Sequence, residues 1–195
     1  MNSELFEKIY QKHLGVLHNL PQGNSRLLIC FSGVPGSGKT FLAKLLEQRF
    51  GGVRISSGEV NDILSELKFS GDNKLRREAI HEYTRLLLDK LAGSANGLMI
   101  LDSSIDRKYK QVFDWAKEHS WPILVISMEF SKEEILERIR ERDPGSYDEY
   151  SRHLGYWFED QLDFLSRHEA DYVINEEIEE LPEDLVKAIT KKLTP

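Results

Sequence analysis

The sequence predicts an α/β protein in which a parallel sheet of about five strands carries helices on both faces. The first observation is a set of runs that are almost wholly apolar, at residues 27–31, 98–102 and 123–128. Strands that are buried on both faces show such runs, because neither face needs polar residues. The second observation is that segments with helical spacing of apolar residues separate the runs, which is typical of parallel strands joined by crossover helices.

The same patterns place the elements in chain order. An N-terminal helix is expected within residues 3–20, and turn residues at 21–25 end it. Strands are expected at 27–31, 53–56, 98–102, 123–128 and 172–174. Further helices are expected at 41–50, 59–67, 74–91, 107–119, 131–140, 147–167 and 181–193. Ser131 and Glu134 have the spacing of a capping box, which marks the start of one of these helices.

The composition is that of one globular domain, placed at residues 1–195 with residues 1–25 as an N-terminal helical extension. The chain has 195 residues, of which 40% are hydrophobic and 30% charged. It has no apolar run of membrane-spanning length, no signal-peptide pattern and a single cysteine, so we expect a cytoplasmic protein. The net charge of −7 favours a small-molecule partner over a nucleic acid, and the oligomeric state is not indicated.

A glycine-rich segment directly follows the first predicted strand and precedes a helix. Its residues match the pattern G-x-x-x-x-G-K-[ST]: Gly33, Val34, Pro35, Gly36, Ser37, Gly38, Lys39 and Thr40. Glycines let the backbone turn sharply and direct N–H groups inward, where they and the helix N-terminus bind phosphate. The motif predicts a three-layer P-loop NTPase fold that binds ATP and Mg²⁺, with Lys39 on the β- and γ-phosphates and the Thr40 hydroxyl on the metal.

Asp102 ends the second apolar run, as in a Walker B strand. A carboxylate there would face the phosphate loop from a neighbouring strand and hold Mg²⁺, directly or through water. The alternative is that Asp102 caps the next turn with Ser103 and Ser104. Asp106 is a second candidate for the metal site, although it could equally cap the helix that starts near residue 107.

The segment after the second strand, with Ser56, Ser57 and Glu59, resembles the I-S-T-G-D segment of adenylate-kinase-like kinases. In polynucleotide kinases, zeta-type toxin kinases and chloramphenicol phosphotransferases, an Asp near this place is the base toward the acceptor hydroxyl. The resemblance implies this role for Glu59, a Glu in place of the Asp. The residues also allow a simpler interpretation, in which Ser57 caps a helix and Glu59 interacts with its positive end.

Arg138 and Arg142 resemble the R-x-x-x-R pair that precedes the lid of these kinases, which places a small helical lid at roughly residues 138–156. The resemblance implies that at least one of them, Arg142 first, stabilises the transferring phosphoryl group. The alternative is that both pair with glutamates on a solvated face. Asn175 follows a strand that resembles the last strand of nucleotide kinases, where the next loop borders adenine, so Asn175 is a candidate base contact.

These observations predict an ATP-dependent phosphotransferase of the P-loop kinase group, in which the γ-phosphoryl group moves to a hydroxyl or phosphate of a small molecule. Lys39, Glu59, Asp102, Arg138 and Arg142 are the predicted catalytic residues. A nucleotide-gated switch is the alternative class, and a nucleic-acid 5′-hydroxyl is the alternative acceptor. The sequence does not identify the acceptor, because this fold serves many.

Overall fold

The computed structural model describes residues 3–17, 25–92 and 97–193. A single sheet of five parallel strands has the order β2-β3-β1-β4-β5. The strands are β1 (Arg26–Ser32), β2 (Val53–Ser56), β3 (Gly97–Ser104), β4 (Ile123–Met128) and β5 (Tyr172–Ile174). All the strands and the predicted fold class are confirmed.

The helices cover both faces of this sheet. They are α1 (Ser3–Leu17), α2 (Lys39–Phe50), α3 (Ser57–Glu66), α4 (Asn73–Ala92), α5 (Tyr109–Glu118), α6 (Lys132–Arg142), α7 (Tyr147–Arg167) and α8 (Glu183–Leu193). One 3₁₀ turn, Pro144–Ser146, joins α6 to α7 at the predicted lid. None of these described helices combines the length and apolar character that a membrane-spanning segment requires.

The central strand β1 explains the absence of alternation in its sequence. Leu27, Ile29 and Phe31 belong to the core cluster under α2, α6 and α8, whereas Leu28 and Cys30 belong to the cluster under α1, α3, α4 and α5. Both faces of β1 are therefore excluded from solvent, and every side chain from residue 27 to 32 is buried. The carboxyl end of β1 emerges between two packed layers, where a loop can bind a ligand.

The helix α1 is packed into the second of these clusters. Ile9 is fully buried, and the Phe6 ring lies 5.4 Å from the Tyr83 ring of α4, centroid to centroid. An ion pair between Lys12 and Glu66 connects α1 to α3. Residues 18–24 of the predicted N-terminal extension, including the predicted end of its helix, lie outside the described residues.

Two helix starts differ from the alternatives that the sequence left open. Ser56 rather than Ser57 caps α3, because its hydroxyl accepts a hydrogen bond from the Glu59 N–H. Asp106 does not cap α5, which begins at Tyr109 with Lys108 at the N-cap. The capping box of Ser131 and Glu134 is confirmed at the start of α6.

Candidate active site

The phosphate loop joins β1 to α2 at the carboxyl edge of the sheet. Gly36 and Gly38 have φ angles of 91° and 94°, which side chains other than glycine rarely adopt. A Cβ atom on Gly36 would also lie 3.1 Å from Cγ1 of Ile139. Glycine at positions 36 and 38 thus lets the loop adopt this conformation without strain, and Gly36 lies directly against α6.

Lys39 folds back into this loop, where its ammonium group contacts only neutral acceptors among the described residues. It donates to the carbonyls of Gly33 and Val34 at 2.9 and 2.6 Å and to the Ser37 hydroxyl at 3.2 Å. Burial lowers the pKa of Lys39 to about 8, and the charges of Asp106 and Asp102 only partly offset that effect. In the described part of the chain no carboxylate contacts this desolvated cation, which fits the phosphates of a nucleotide because they would supply an anion.

This lowered pKa predicts that the affinity for Mg²⁺–ATP falls in alkaline solution. Phosphate binds the ammonium form, and with a pKa of about 8 only about one-tenth of free Lys39 is protonated at pH 9. We expect the Kd, measured with a fluorescent ATP analogue, to rise about tenfold between pH 7 and pH 9. The exposed Lys44 of the same helix is the control, and Lys44→Met should keep the same profile. A Kd that stays constant over this range would contradict the expected titration of Lys39.

The predicted magnesium residues are brought together beside the loop. The Thr40 hydroxyl donates to Oδ1 of Asp102 at 2.9 Å, and Asp102 is only 5% exposed. Their register explains the contact, because β3 lies next to β1 and both carboxyl ends meet at one edge. A hydroxyl and a carboxylate next to a phosphate loop are the hard oxygen ligands that Mg²⁺ prefers, so these residues fit the metal.

Arg54 is a buried residue of this site that sequence reasoning missed. Its guanidinium donates to Oδ2 of Asp102 at 2.8 Å and to Oε2 of Glu47 at 3.0 Å, and it forms an ion pair with Glu59. Burial alone would lower the pKa of Arg54, but hydrogen bonds with the carboxylates raise it above its usual value. One signal was present in the sequence: Arg54 lies between Val53 and Ile55 in a predicted strand, and an arginine buried in a sheet requires carboxylate partners.

Glu59 lies at the start of α3, within the same cluster. Its carboxylate is engaged by Arg54, and its N–H donates to Ser56 Oγ at 3.4 Å. The structure therefore brings Glu59 close to Asp102 through a shared guanidinium. The role of Glu59 toward an acceptor stays a prediction.

The two lid arginines lie in different surroundings. Arg138 stacks at 3.9 Å on the Phe130 ring and pairs at 3.1 Å with Glu177, two residues beyond the exposed Asn175. Arg142 is exposed, and its charge lowers the pKa of Lys39, so it lies on the phosphate-loop side. Arg138 is thus associated with the loop after β5 and Arg142 with the phosphate loop. Their functions and that of Asn175 stay predictions.

Asp106 is the second carboxylate that contacts the phosphate loop. Its Oδ2 accepts a hydrogen bond of 3.1 Å from the N–H of Gly33, and the residue is 7% exposed. The adjacent Ile105 N–H donates to the Phe31 carbonyl at 2.9 Å, which anchors this segment to the end of β1. The sequence placed Asp106 near the site but did not indicate this contact.

A parallel sheet in this order, with a glycine-rich loop after β1 and Asp102 near the end of β3, is the fold of the P-loop kinase group. A family model described as an AAA domain, AAA_33, matches residues 28–157. The chain belongs to this family, and the resemblance to P-loop kinases inferred from the motifs is confirmed.

Solved structures share the fold at low sequence identity. A protein of the PezAT chromosomal toxin–antitoxin system of Streptococcus pneumoniae has a TM-score of 0.64 at 12% identity, over 99% of this chain and 96% of that one. A candidate kinase from Chloroflexus aurantiacus has a TM-score of 0.57 at 15% identity, over 89% of this chain and 100% of that one. The tunicamycin resistance protein of Deinococcus radiodurans has a TM-score of 0.53 at 22% identity, over 87% of this chain and 96% of that one. The search of curated proteins finds no match.

Proposed function

We propose that the protein is an ATP-dependent phosphotransferase that moves the γ-phosphoryl group to a hydroxyl or phosphate of a small molecule. The observation that carries this proposal is the Lys39 ammonium, held by neutral acceptors inside the glycine loop beside the Thr40–Asp102 pair. This arrangement supports capture of a polyphosphate together with Mg²⁺. The family and the fold of the neighbours are consistent with a kinase.

The residues divide the work as follows. Backbone N–H groups of the phosphate loop and the Lys39 ammonium would hold the β- and γ-phosphates, while Thr40 and Asp102 would hold Mg²⁺, which would neutralise charge on the transferring group. Arg142 approaches that group when the α6–α7 region closes. Arg138 and Asn175 border the nucleobase, and Glu59 orients the acceptor from the start of α3.

A small acceptor is favoured over a nucleic acid. The net charge of −7 disfavours a polyanionic partner, although it does not exclude a local basic cleft. One structural neighbour is named for resistance to tunicamycin, a small molecule, which is consistent with this class of acceptor.

The test is transfer of radiolabel from [γ-³²P]ATP across a panel of nucleosides, nucleotides, sugars, antibiotics and oligonucleotides with a 5′-hydroxyl. We expect labelled product with at least one small molecule, and none with the Lys39→Met variant. Labelling of the oligonucleotides alone would favour the alternative acceptor. Tight ATP binding with slow ADP release and no labelled product would instead favour a nucleotide-gated switch.

The two lid arginines predict different defects in this assay. Arg142→Ala is expected to slow transfer about 10²-fold or more with little change in ATP affinity, since it loses charge stabilisation in the transition state. Arg138→Ala is expected to weaken ATP binding about tenfold, a loss of about 1.4 kcal/mol, with a smaller effect on rate. Arg140, whose guanidinium contacts Tyr147 at 2.9 Å, is the control on the same helix. Equal effects of the Arg138 and Arg142 variants on rate and affinity would contradict this division.

A further inference from the structure

Asp106 is a buried carboxylate that the proposed mechanism leaves without a role. Its Oδ2 accepts the Gly33 N–H, which fixes the carboxylate at the first residue of the phosphate loop. Its Oδ1 is buried and has no hydrogen-bond partner among the described residues. Buried carboxylate oxygens without a partner are rare, because losing hydration without a replacement hydrogen bond is costly. Oδ1 is thus suited to receive a hydrogen bond from a ligand.

Two hydroxyl groups at the same end of the sheet are also buried without a hydrogen-bond partner among the described residues. The side chains of Ser32 and Ser127 are fully buried, and within the described ranges their hydroxyls have no hydrogen-bond partner. They are register partners on β1 and β4, and Ser32 immediately precedes Gly33. Orphaned polar atoms around one strand end indicate a place for a bound polar group.

Asp106 and Lys39 both contact Gly33, the first residue of the phosphate loop. The Lys39 ammonium itself lies 2.9 Å from the Gly33 carbonyl, and the N–H of the same Gly33 binds Asp106. A γ-phosphate held by Lys39 would therefore lie beside the loop residue to which the Asp106 carboxylate is hydrogen-bonded.

Glu59 is less free to act on an acceptor. Its carboxylate is paired with Arg54, which also binds Asp102 and Glu47. If Glu59 took a proton from a substrate, it would lose much of its attraction to that buried guanidinium. Asp106 has no such competing ion pair among the described residues.

From this geometry we infer that Asp106 is the catalytic base of the proposed phosphotransferase and that its acceptor is a hydroxyl group. Oδ1 accepts the hydroxyl proton as the acceptor oxygen forms a bond to the γ-phosphorus. The bond from that phosphorus to the β,γ-bridging oxygen breaks, which leaves ADP and a phosphate monoester. A phosphate acceptor is already anionic and needs no base, and a buried carboxylate would repel it.

The test rests on the proposed function and uses the full chain with paired acceptors, such as adenosine with AMP and glucose with glucose 6-phosphate. Asp106→Asn keeps an oxygen for the Gly33 N–H but removes the base. We expect single-turnover transfer to the best hydroxyl acceptor to slow about 100-fold, with Mg²⁺–ATP affinity within about threefold of wild type. The exposed Asp114→Asn of α5 is the matched control and should transfer at the wild-type rate.

A second variant separates loss of the base from loss of the fold. Asp106→Ala removes both oxygens, and added formate, which can occupy the vacated space, is expected to restore transfer about tenfold. Unchanged transfer in Asp106→Asn, a parallel loss of ATP affinity, no rescue by formate, or a preference for phosphorylated acceptors would each overturn the inference. A wild-type protein that binds ATP but labels no acceptor would instead remove the proposed function itself.

Discussion

Replacing Lys39 by methionine is expected to abolish phosphoryl transfer while leaving the ligand-free protein at least as stable as wild type. The ammonium both binds phosphate and stabilises charge in the transition state, so we expect a loss of about 10³-fold or more in transfer. Methionine keeps the apolar stem and removes the desolvated charge together with its three hydrogen bonds inside the loop. Transfer is measured with [γ-³²P]ATP, and stability by urea unfolding with and without Mg²⁺–ATP.

The expected sign of the stability change follows from the pKa of Lys39. Burial lowers it from 10.5 to about 8 in the folded protein, so at pH 7 the folded state holds a proton that it binds less tightly than the unfolded chain does. Removing the charge should raise the free energy of unfolding by about 1–3 kcal/mol at pH 7. Between pH 8 and 10.5 wild type becomes more stable relative to the variant, because its unfolded state binds more protons.

Saturating nucleotide should act in the opposite direction and stabilise wild type relative to the variant. At a concentration of about 100 Kd, Mg²⁺–ATP adds about 2.7 kcal/mol to wild type, while the variant should gain almost nothing. Lys44→Met on the exposed face of α2 is the matched control and should behave as wild type in both assays. A Lys39→Met protein that retains near wild-type transfer would exclude the phosphate loop as the ATP site.

Replacing Arg54 by methionine is expected to destabilise the fold by about 3–5 kcal/mol. The change leaves the carboxylates of Glu47, Glu59 and Asp102 close together without the cation that joins them. The Asp102 side chain is 2% exposed, so water compensates little for the lost partner. The midpoint of urea unfolding measures the effect, and Mg²⁺ should partly restore it by binding the freed carboxylates.

A surface arginine provides the comparison for Arg54. Arg85 pairs with Asp89 one turn away on α4, where the two side chains are 61% and 37% exposed. Arg85→Met should change the free energy of unfolding by less than about 1 kcal/mol, because exposed ion pairs contribute little. If Arg54→Met changed the free energy of unfolding as little as Arg85→Met, the three contacts of Arg54 would not stabilise the fold as we infer.

The phosphate loop and its metal pair could be predicted because their signals are local. A buried run, a glycine-rich turn and a helix follow one another within residues 27–50, and the loop sequence itself carries the chemistry. The contact of Thr40 with Asp102 then follows from topology alone, since parallel strands end at one edge. The signals for β4, β5 and α7 are also local, and these elements have the predicted bounds.

Other parts of the site depend on contacts between distant segments, which periodicity does not encode. Asp106 was predicted as a metal residue or a helix cap, but its partner is the N–H of Gly33, 73 residues earlier. Arg54 lies on β2, while its three partners come from α2, α3 and β3. The pairing of Arg138 with Glu177 likewise depends on how the loop after β5 returns to α6. Side-chain directions of this kind are decided by packing, not by spacing along the chain.

The packing of α1 bears on where this protein could be shortened. The family match begins at residue 28, yet Ile9 is fully buried and Phe6 lies against Tyr83. A protein that began at this family boundary would lack α1 and would expose apolar side chains of α3 and α4. Glu59 lies at the start of α3. The region that matches the family is thus shorter than the region that folds as one unit. A shortened protein would be prone to self-association through the uncovered surface.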